Sequence, residues 1–442
     1  MPSSIDVQSG ARWAVHTPYA LVKNIYSDRD NLDDGSYYKF ELPAGEQAVT
    51  EWTPSHRQEV ERALESLPQV WAHHWHPIGL ESFNQVLDSI VQHSKQDEQE
   101  YRHQMDDSHA ILETVVLNLV DGMEVDSWPG VSVLRGLESR HLAFTGSDSL
   151  LFECDSDKAR IKKHLIDTGA PTPRYCDVYS AVVLEEGGDA RNYDEEEDRQ
   201  RVLHELSQLQ FPLLVKPANA SSSRGISTKS VVDSPEEAYK QAMETKKVWG
   251  PVYVEEYISG REFTALVSGS AEYGIDTYKV LERVFRDRVP ERERMLTYDM
   301  KWGKDNYGSN KTIEQASWWM EVCPDDQQPA LQQKAREIYT SFHGNGYCRM
   351  DLREDHRTGK LYVVDVNANC SVDEDDDSAM GKILKASGLT LGLFFGKLIS
   401  FAIRRRNGLY GHPTKSTIEG AHKVVDGVNG VPIISPQMTV HA

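Results

Sequence analysis

Two short runs of alternating residues around a polar turn constrain this chain more than any other stretch: Tyr347–Leu352 and Tyr362–Asn367, on either side of Glu354-Asp355-His356-Arg357-Thr358-Gly359-Lys360. Successive side chains of a strand point to opposite faces. Cys348, Met350 and Leu352 therefore share one face of the first run, and Arg349, Asp351 and Arg353 the other. In the second run Tyr362, Val364 and Val366 are expected on the apolar face, Asp365 and Asn367 on the polar one. Closing the hairpin brings Asp351 to within about one residue of facing Asp365, and like charges placed side by side destabilise a strand pair. The simplest partner is a hard divalent cation. Two carboxylates and an amide oxygen suit Mg²⁺, or Mn²⁺ in its place, with phosphate oxygens and water completing the shell. The expected metal set is Asp351, Asp365 and Asn367; the plain alternative is a solvated hairpin with a polar outer face.

A chain of 442 residues has room for two or three domains with proper cores. Its net charge of −21 argues against nucleic acid or an anionic membrane as a main partner. The five cysteines lack paired or C-x-x-C spacing, which fits a reducing compartment without a disulfide framework. The first residues, MPSSIDVQSGARWAVH, have neither a charged n-region nor an apolar h-region, so secretion is not expected and a cytoplasmic location is. The run Leu389–Arg406 is shorter than the ~20 apolar residues of a spanning helix and contains Lys397; it reads as a closing amphipathic helix, followed from Asn407 by a tail.

Near the start, Tyr19–Tyr26 reads as a strand, Pro54–Leu67 as a helix spaced by Val60, Leu64 and Leu67, Ile78–His93 as a second helix and Ile111–Val120 as a buried strand. His73, His74 and His76 invite a metal reading. Tryptophans and a proline interrupt them, however, and a partly buried turn or helix end is expected instead. Ser156 or Asp157 caps a helix that Gly169 and Pro171 end. On that helix Lys158 is an exposed first-turn lysine by spacing, and Arg160, Lys162 and Lys163 look like solvated charges. Glu185–Arg201 reads as an acidic loop leading into a solvated helix. Leu213–Lys216 is a short strand followed by Pro217 and ANASSSRGIS, whose small residues let backbone amides and hydroxyls approach phosphate.

Together with VYVEEYISGREFT (Val252–Thr264), MLTYDMKW (Met295–Trp302) and the hairpin, these segments resemble the ATP-grasp superfamily, and within it the D-alanine–D-alanine ligase family. The resemblance runs from about Thr145 to Arg404. It implies an α/β (α+β) ATP-grasp fold with antiparallel sheets: a pre-ATP-grasp α/β domain over 1–150, a central lobe with the phosphate loop over 151–254, a lobe with the Mg²⁺ site over 255–403, and a tail over 404–442. It further implies ATP as the nucleotide. Lys158, Lys216, Ser222 and Ser223 would lie on its phosphates, backbone groups of Glu255, Glu256, Tyr257 and Ile258 on the adenine edge, with Tyr257 against the ring, and Glu262 on the ribose hydroxyls. Lys301 would meet the γ-phosphate and Arg349 a developing oxyanion.

The resemblance thereby implies a carboxylate–amine ligase that makes an acyl phosphate and then an amide, releasing ADP and phosphate. Its partners would be a small carboxylic acid and an amine, with a homodimer as one assembly and no nucleic acid or membrane. A small-molecule kinase and a non-catalytic ATP-binding regulator are the alternatives. Two departures stand out. Asp365 takes the place of the family's glutamate, and the family's small-residue, proline and glycine run is replaced by Ala368–Val372 and the acidic stretch Asp373–Asp377. If Asp375, Asp376 and Asp377 line the acceptor subsite, they favour a cationic acceptor and disfavour D-alanine.

Overall fold

The computed structural model describes residues 19–27, 39–41, 47–49, 54–105, 111–122, 124, 128–179, 195–220, 223–302 and 316–410. Strand β1 (Tyr19–Ser27) is buried along all but its first residue. After a small ribbon, β2 (Lys39–Glu41) and β3 (Gln47–Val49), the chain adds β4 (Val70–Ile78), β5 (Leu112–Asn118) and β6 (Ala143–Phe144) to β1 in a parallel sheet of order β4-β1-β5-β6. Helices cover both faces of such a sheet, which is why its central strands read as near-continuous apolar runs. One face packs with the helices Pro54–Glu65 and Leu391–Tyr410 through Val22, Tyr26, Leu64, Phe394 and Leu398. The other packs with Phe83–Gln104 and Val131–Ser139 through Ile25, Leu87, Ile90 and Leu137.

A second sheet is antiparallel, in the order β7-β10-β8-β9, from β7 (Tyr175–Tyr179), β8 (Leu213–Pro217), β9 (Val231–Val232) and β10 (Val252–Glu256). The helices Glu195–Ser207 and Pro235–Trp249 cover it; Ser234 caps the latter by accepting from Glu237 N–H. The third and largest sheet runs β14-β13-β11-β15-β16, with β12 beside β11. Its strands are β11 (Glu262–Ser270), β12 (Gly274–Thr277), β13 (Leu281–Phe285), β14 (Trp318–Val322), β15 (Gly346–Glu354) and β16 (Leu361–Ala368). The helices Gln328–Ser341 and Lys158–Asp167 close its apolar face through Ile338, Tyr339, Phe342, Ile161 and Leu165. The helix Lys158–Asp167, expected in the central lobe, thus packs on the core of the third sheet.

Five expectations need correcting. The histidine-rich stretch is neither a turn nor a helix end. It lies within edge strand β4, where Lys23 Nζ meets His74 Nδ1 at 2.9 Å and Asp97 Oδ2 at 3.0 Å, and the helix expected over Ile78–His93 begins only at Phe83. Lys162 is not solvated: its side chain is 2% exposed. Tyr362 and Val364 leave the core face of the hairpin, because a bulge follows Leu352↔Val363 and the core positions become Leu361, Val363, Val366 and Ala368. The expected boundary at 404 falls inside the helix Leu391–Tyr410; from the expected tail, residues 411–442 lie outside the described part, as do 185–194 of the acidic loop. Among the described residues no single helix is long and apolar enough to cross a membrane, although the bent pair Ala379–Ala386 and Leu391–Leu409 passes that test jointly. Phe394, Phe395, Leu398, Ile399 and Ala402 of the latter belong to a buried core.

The first sheet and β16 are joined at Asn369. Its φ of 55° puts a non-glycine residue in the left-handed region. Its Oδ1 accepts from the buried Ser147 N–H at 2.7 Å. Asn369→Ala removes that acceptor and keeps the unfavourable φ, so it should lower stability by about 2–3 kcal/mol, read as a shift in the urea midpoint.

Candidate functional site

The polar face of the third sheet carries the functional groups in register. Across β11, β15 and β16, Thr264 faces Asp351 and Asp351 faces Asp365, with Arg349 opposite Asn367 and Glu262 opposite Arg353. The bulge that spoils the alternation of β16 is what places Asp365 directly across from Asp351. Thr264 Oγ1 donates to Asp351 Oδ1 at 2.9 Å, and Arg349 Nε lies 3.9 Å from the same oxygen. Lys158 Nζ donates to Asp365 Oδ1 at 2.5 Å. Burial raises the Asp365 carboxyl, but Lys158 and Lys216 outweigh it and hold the group below its ordinary value. Asp157 rather than Ser156 caps the helix that presents Lys158, accepting from Ala159 and Arg160 N–H.

Asp351, Asp365 and Asn367 fit Mg²⁺ by donor type, hard oxygens on adjacent strands. Among the described residues no three His, Cys, Asp or Glu side chains form a closed metal cage. An ion held by two carboxylates and an amide would therefore take the rest of its shell from phosphate and water, as Mg²⁺ commonly does.

The antiparallel sheet brings a second cluster of charges close to Asp365, on which Lys216 also acts. Lys216 is the register partner of Tyr253 on β10. Its Nζ lies 2.6 Å from Glu255 Oε1, whose other oxygen is 2.5 Å from Lys162 Nζ. Burial pushes the Glu255 carboxyl up, but the two lysines prevail and keep it below the usual range. Beyond β10 the Tyr257 N–H donates to Pro212 O, while the Ile258 N–H has no backbone acceptor among the described residues. Glu256 turns outward to Arg174 and the Gln210 N–H, the ordinary surface role. The Tyr257 hydroxyl donates toward Glu291 O and Arg294 O, and the Arg353 guanidinium lies 4.8 Å from its ring centre, taking up one ring face.

Glu262 is buried and paired: Arg283 Nη1 donates to its Oε1, and Arg353 Nε lies 3.9 Å from its Oε2. A ribose hydroxyl would have to share that carboxylate with two guanidinium groups. Ser222 lies outside the described residues; Ser223 has a φ of 60° and opens a turn closed by Ile226 N–H to Ser223 O. The helix Tyr298–Trp302, which carries Lys301, docks on this turn through Tyr298 N–H to Ile226 O at 3.0 Å.

The acidic run is occupied by local structure. Asp373 Oδ1 accepts from Asp375 N–H and Ser378 Oγ, Asp375 Oδ1 accepts from Asp377 N–H, and Asp376 pairs with Lys385 at 2.8 Å. Glu374, Asp375, Asp376 and Asp377 are exposed. Spacing in the sequence could not distinguish this series of turns, which leads into the cap of the helix Ala379–Ala386, from a pocket lining.

Two site residues escaped the sequence reading. One is Lys162, whose i, i+4 relation to Lys158 was a signal for a shared helix face. The other is Asp155, from the helix Ser149–Asp155. Its Oδ2 accepts from Ala368 N–H at 3.0 Å, while Oδ1 is buried without a hydrogen-bond partner, 3.9 Å from Lys158 Nζ.

A family described as "D-ala D-ala ligase C-terminus" matches residues 188–400. The D-alanine--D-alanine ligase of Polaromonas naphthalenivorans is 28% identical over 240 residues, 54% of this chain and 63% of that protein. That of Xylella fastidiosa is 26% identical over 256 residues, 57% of this chain and 70% of that one. The chain thus spans somewhat under two thirds of the first of these relatives. Among solved structures, a D-alanine--D-alanine ligase from Bacillus anthracis complexed with ATP superposes with a TM-score of 0.51 at 17% identity, covering 88% of this chain and 99% of that one. The VanG D-Ala:D-Ser ligase from Enterococcus faecalis gives 0.52 at 15% identity, with 87% and 100% covered. At such identities the likeness is one of fold.

Burial pushes the Asp155 carboxyl up to about 7, against about 3.9 in an unfolded chain. Between these values the folded protein keeps a proton that the unfolded chain releases, so this group makes stability fall as pH rises through that window. Asp155→Asn retains an acceptor for Ala368 N–H and abolishes the titration. It should be more stable than the wild type by on the order of 4 kcal/mol at pH 8 and little different at pH 4, compared by urea denaturation.

Proposed function

From its membership, through residues 188–400, of the D-Ala–D-Ala ligase-like family with the ATP-grasp fold, we propose that this chain is an ATP-dependent carboxylate–amine ligase that releases ADP and phosphate. The observation that carries the reading is the convergence of Lys158 from one helix, Lys216 from the second sheet and the opposed Asp351–Asp365 pair of the third around a single cleft. Three separate elements aim charged groups at one place, and a triphosphate with its cation is the ligand that matches both signs of charge.

In this reading Ile258 N–H meets the nucleobase edge, Lys158 and Lys216 hold phosphate oxygens, and Ser222, Ser223 and Lys301 cover the far end. Asp351, Asp365 and Asn367 would hold Mg²⁺, which supplies charge neutralisation for an in-line phosphoryl transfer. The carboxylate of the acid substrate attacks the γ-phosphorus, the bond to ADP breaks, and an acyl phosphate forms. The amine then adds to the acyl carbon. Arg349 neutralises the oxyanion as phosphate leaves and the amine loses its proton. Glu262 positions the ribose only if it shares its carboxylate with the arginines that already hold it.

The acid and the amine are small molecules, and the relatives' name makes D-alanine in both roles the first pair to assay. The electrostatic argument against D-alanine weakens once Asp376 is paired with Lys385 and the carboxylates of Asp373 and Asp375 are held in turns.

Incubation with ATP, Mg²⁺, ¹⁸O-labelled acids and amines should give ADP and orthophosphate carrying ¹⁸O from the acid. AMP and pyrophosphate would mean adenylation, and ADP without phosphate release a kinase. Asp351→Ala and Asp365→Ala should each lower turnover about a hundredfold or more while circular dichroism stays that of the wild type. Near-normal turnover in both would remove the metal site.

A further inference from the structure

Two lysines meet one buried carboxylate beside the cleft, and they are not equivalent. Lys162 is 2% exposed and Glu255 2%, whereas Lys216 is 15% exposed and borders the cleft. Lys162 is also fixed from its other side: Nζ donates to Thr172 Oγ1 at 2.8 Å, and that hydroxyl donates to Val363 O at 3.0 Å on the strand that carries Asp365. The group of three carries one surplus positive charge, and the only member that can reach a ligand is Lys216.

We propose that Lys162 is a positioning residue that acts through Glu255: it keeps the carboxylate neutralised so that Lys216 can turn to an anionic ligand. A buried carboxylate whose only counter-ion swings away is left unpaired, which is strongly unfavourable. With Lys162 locked against it, Glu255 loses one of two partners rather than its only one, and Lys216 is divided between carboxylate and phosphate at little penalty. Without Lys162, Glu255 claims Lys216 for itself and the cleft loses a phosphate ligand. The inference deepens the proposed nucleotide-binding role of the cleft and rests on it.

Calorimetric titration of the full chain with MgATP and, separately, with adenosine tests this, because adenosine has no phosphate for Lys216 to hold. Lys162→Met should weaken MgATP binding roughly tenfold or more and leave adenosine binding within about twofold, since the base contacts do not involve the lysine. The double variant Lys162→Met/Glu255→Gln should recover MgATP affinity to within about threefold of wild type, because the amide no longer captures Lys216. A purely structural role predicts the opposite: both ligands weaken together, and the second substitution adds damage. A wild type that binds MgATP, with a Lys162→Met variant that binds it as tightly, or a double variant without recovery, overturns this inference alone. A wild type that binds neither ligand overturns the nucleotide reading and this inference with it.

Discussion

The opposition of Asp351 and Asp365 across β15 and β16 is the constraint on which the rest of the site depends. Two carboxylates in register on adjacent strands repel, and the fold answers with one cation from outside the hairpin and one within it: Lys158 on Asp365 and Arg349 near Asp351. Lys158 belongs to a helix whose opposite face, Ile161 and Leu165, is part of the core under the same sheet. The electrostatic need and the hydrophobic packing therefore fix the helix in one place. Removing the helix would leave the carboxylates bare as well as opening the core, so the segment between the first and second sheets is tied to the third.

Much of this was legible because alternation in a half-buried strand is a strong local signal. The hairpin, β8 with Lys216 and the capped helix after Asp157 all arise from short-range chemistry. What failed was set by tertiary partners. The bulge at Val364 depends on how β16 meets β15, and no propensity of Val364 announces it. Lys162 looked solvated because lysine usually is, yet Glu255 lies 93 positions downstream and supplies its counter-charge. The histidines of β4 read as a turn because Trp and Pro interrupt them, while pairing to β1 makes the strand.

The acidic stretch after β16 shows why a charge run read as a field can mislead. Summed formal charge suggests a strongly negative pocket. In the fold, however, two of the carboxylates serve as backbone acceptors, and a third meets Lys385 in the next helix. Asp and Asn side chains favour such local hydrogen bonds. Nearer the hairpin, Asp155 holds one carboxyl oxygen on Ala368 N–H and leaves the other without a hydrogen-bond partner.

The cations around the cleft divide by how firmly they are held. Lys158 and Lys216 each pair with a carboxylate and keep some exposure, so an anion can compete for them. Lys162, Arg283 and Arg353 are buried and serve carboxylates that would otherwise lie unpaired in a low dielectric. The loops above obey the same division: the Ser223 turn and the helix bearing Lys301 are joined by the Tyr298–Ile226 hydrogen bond and by Met295, packed with Ile226, Leu214 and Tyr257. Two groups expected at the far end of a triphosphate thus share one apolar support, so a displacement of that support moves Ser223 and Lys301 together while the buried cations keep their pairs.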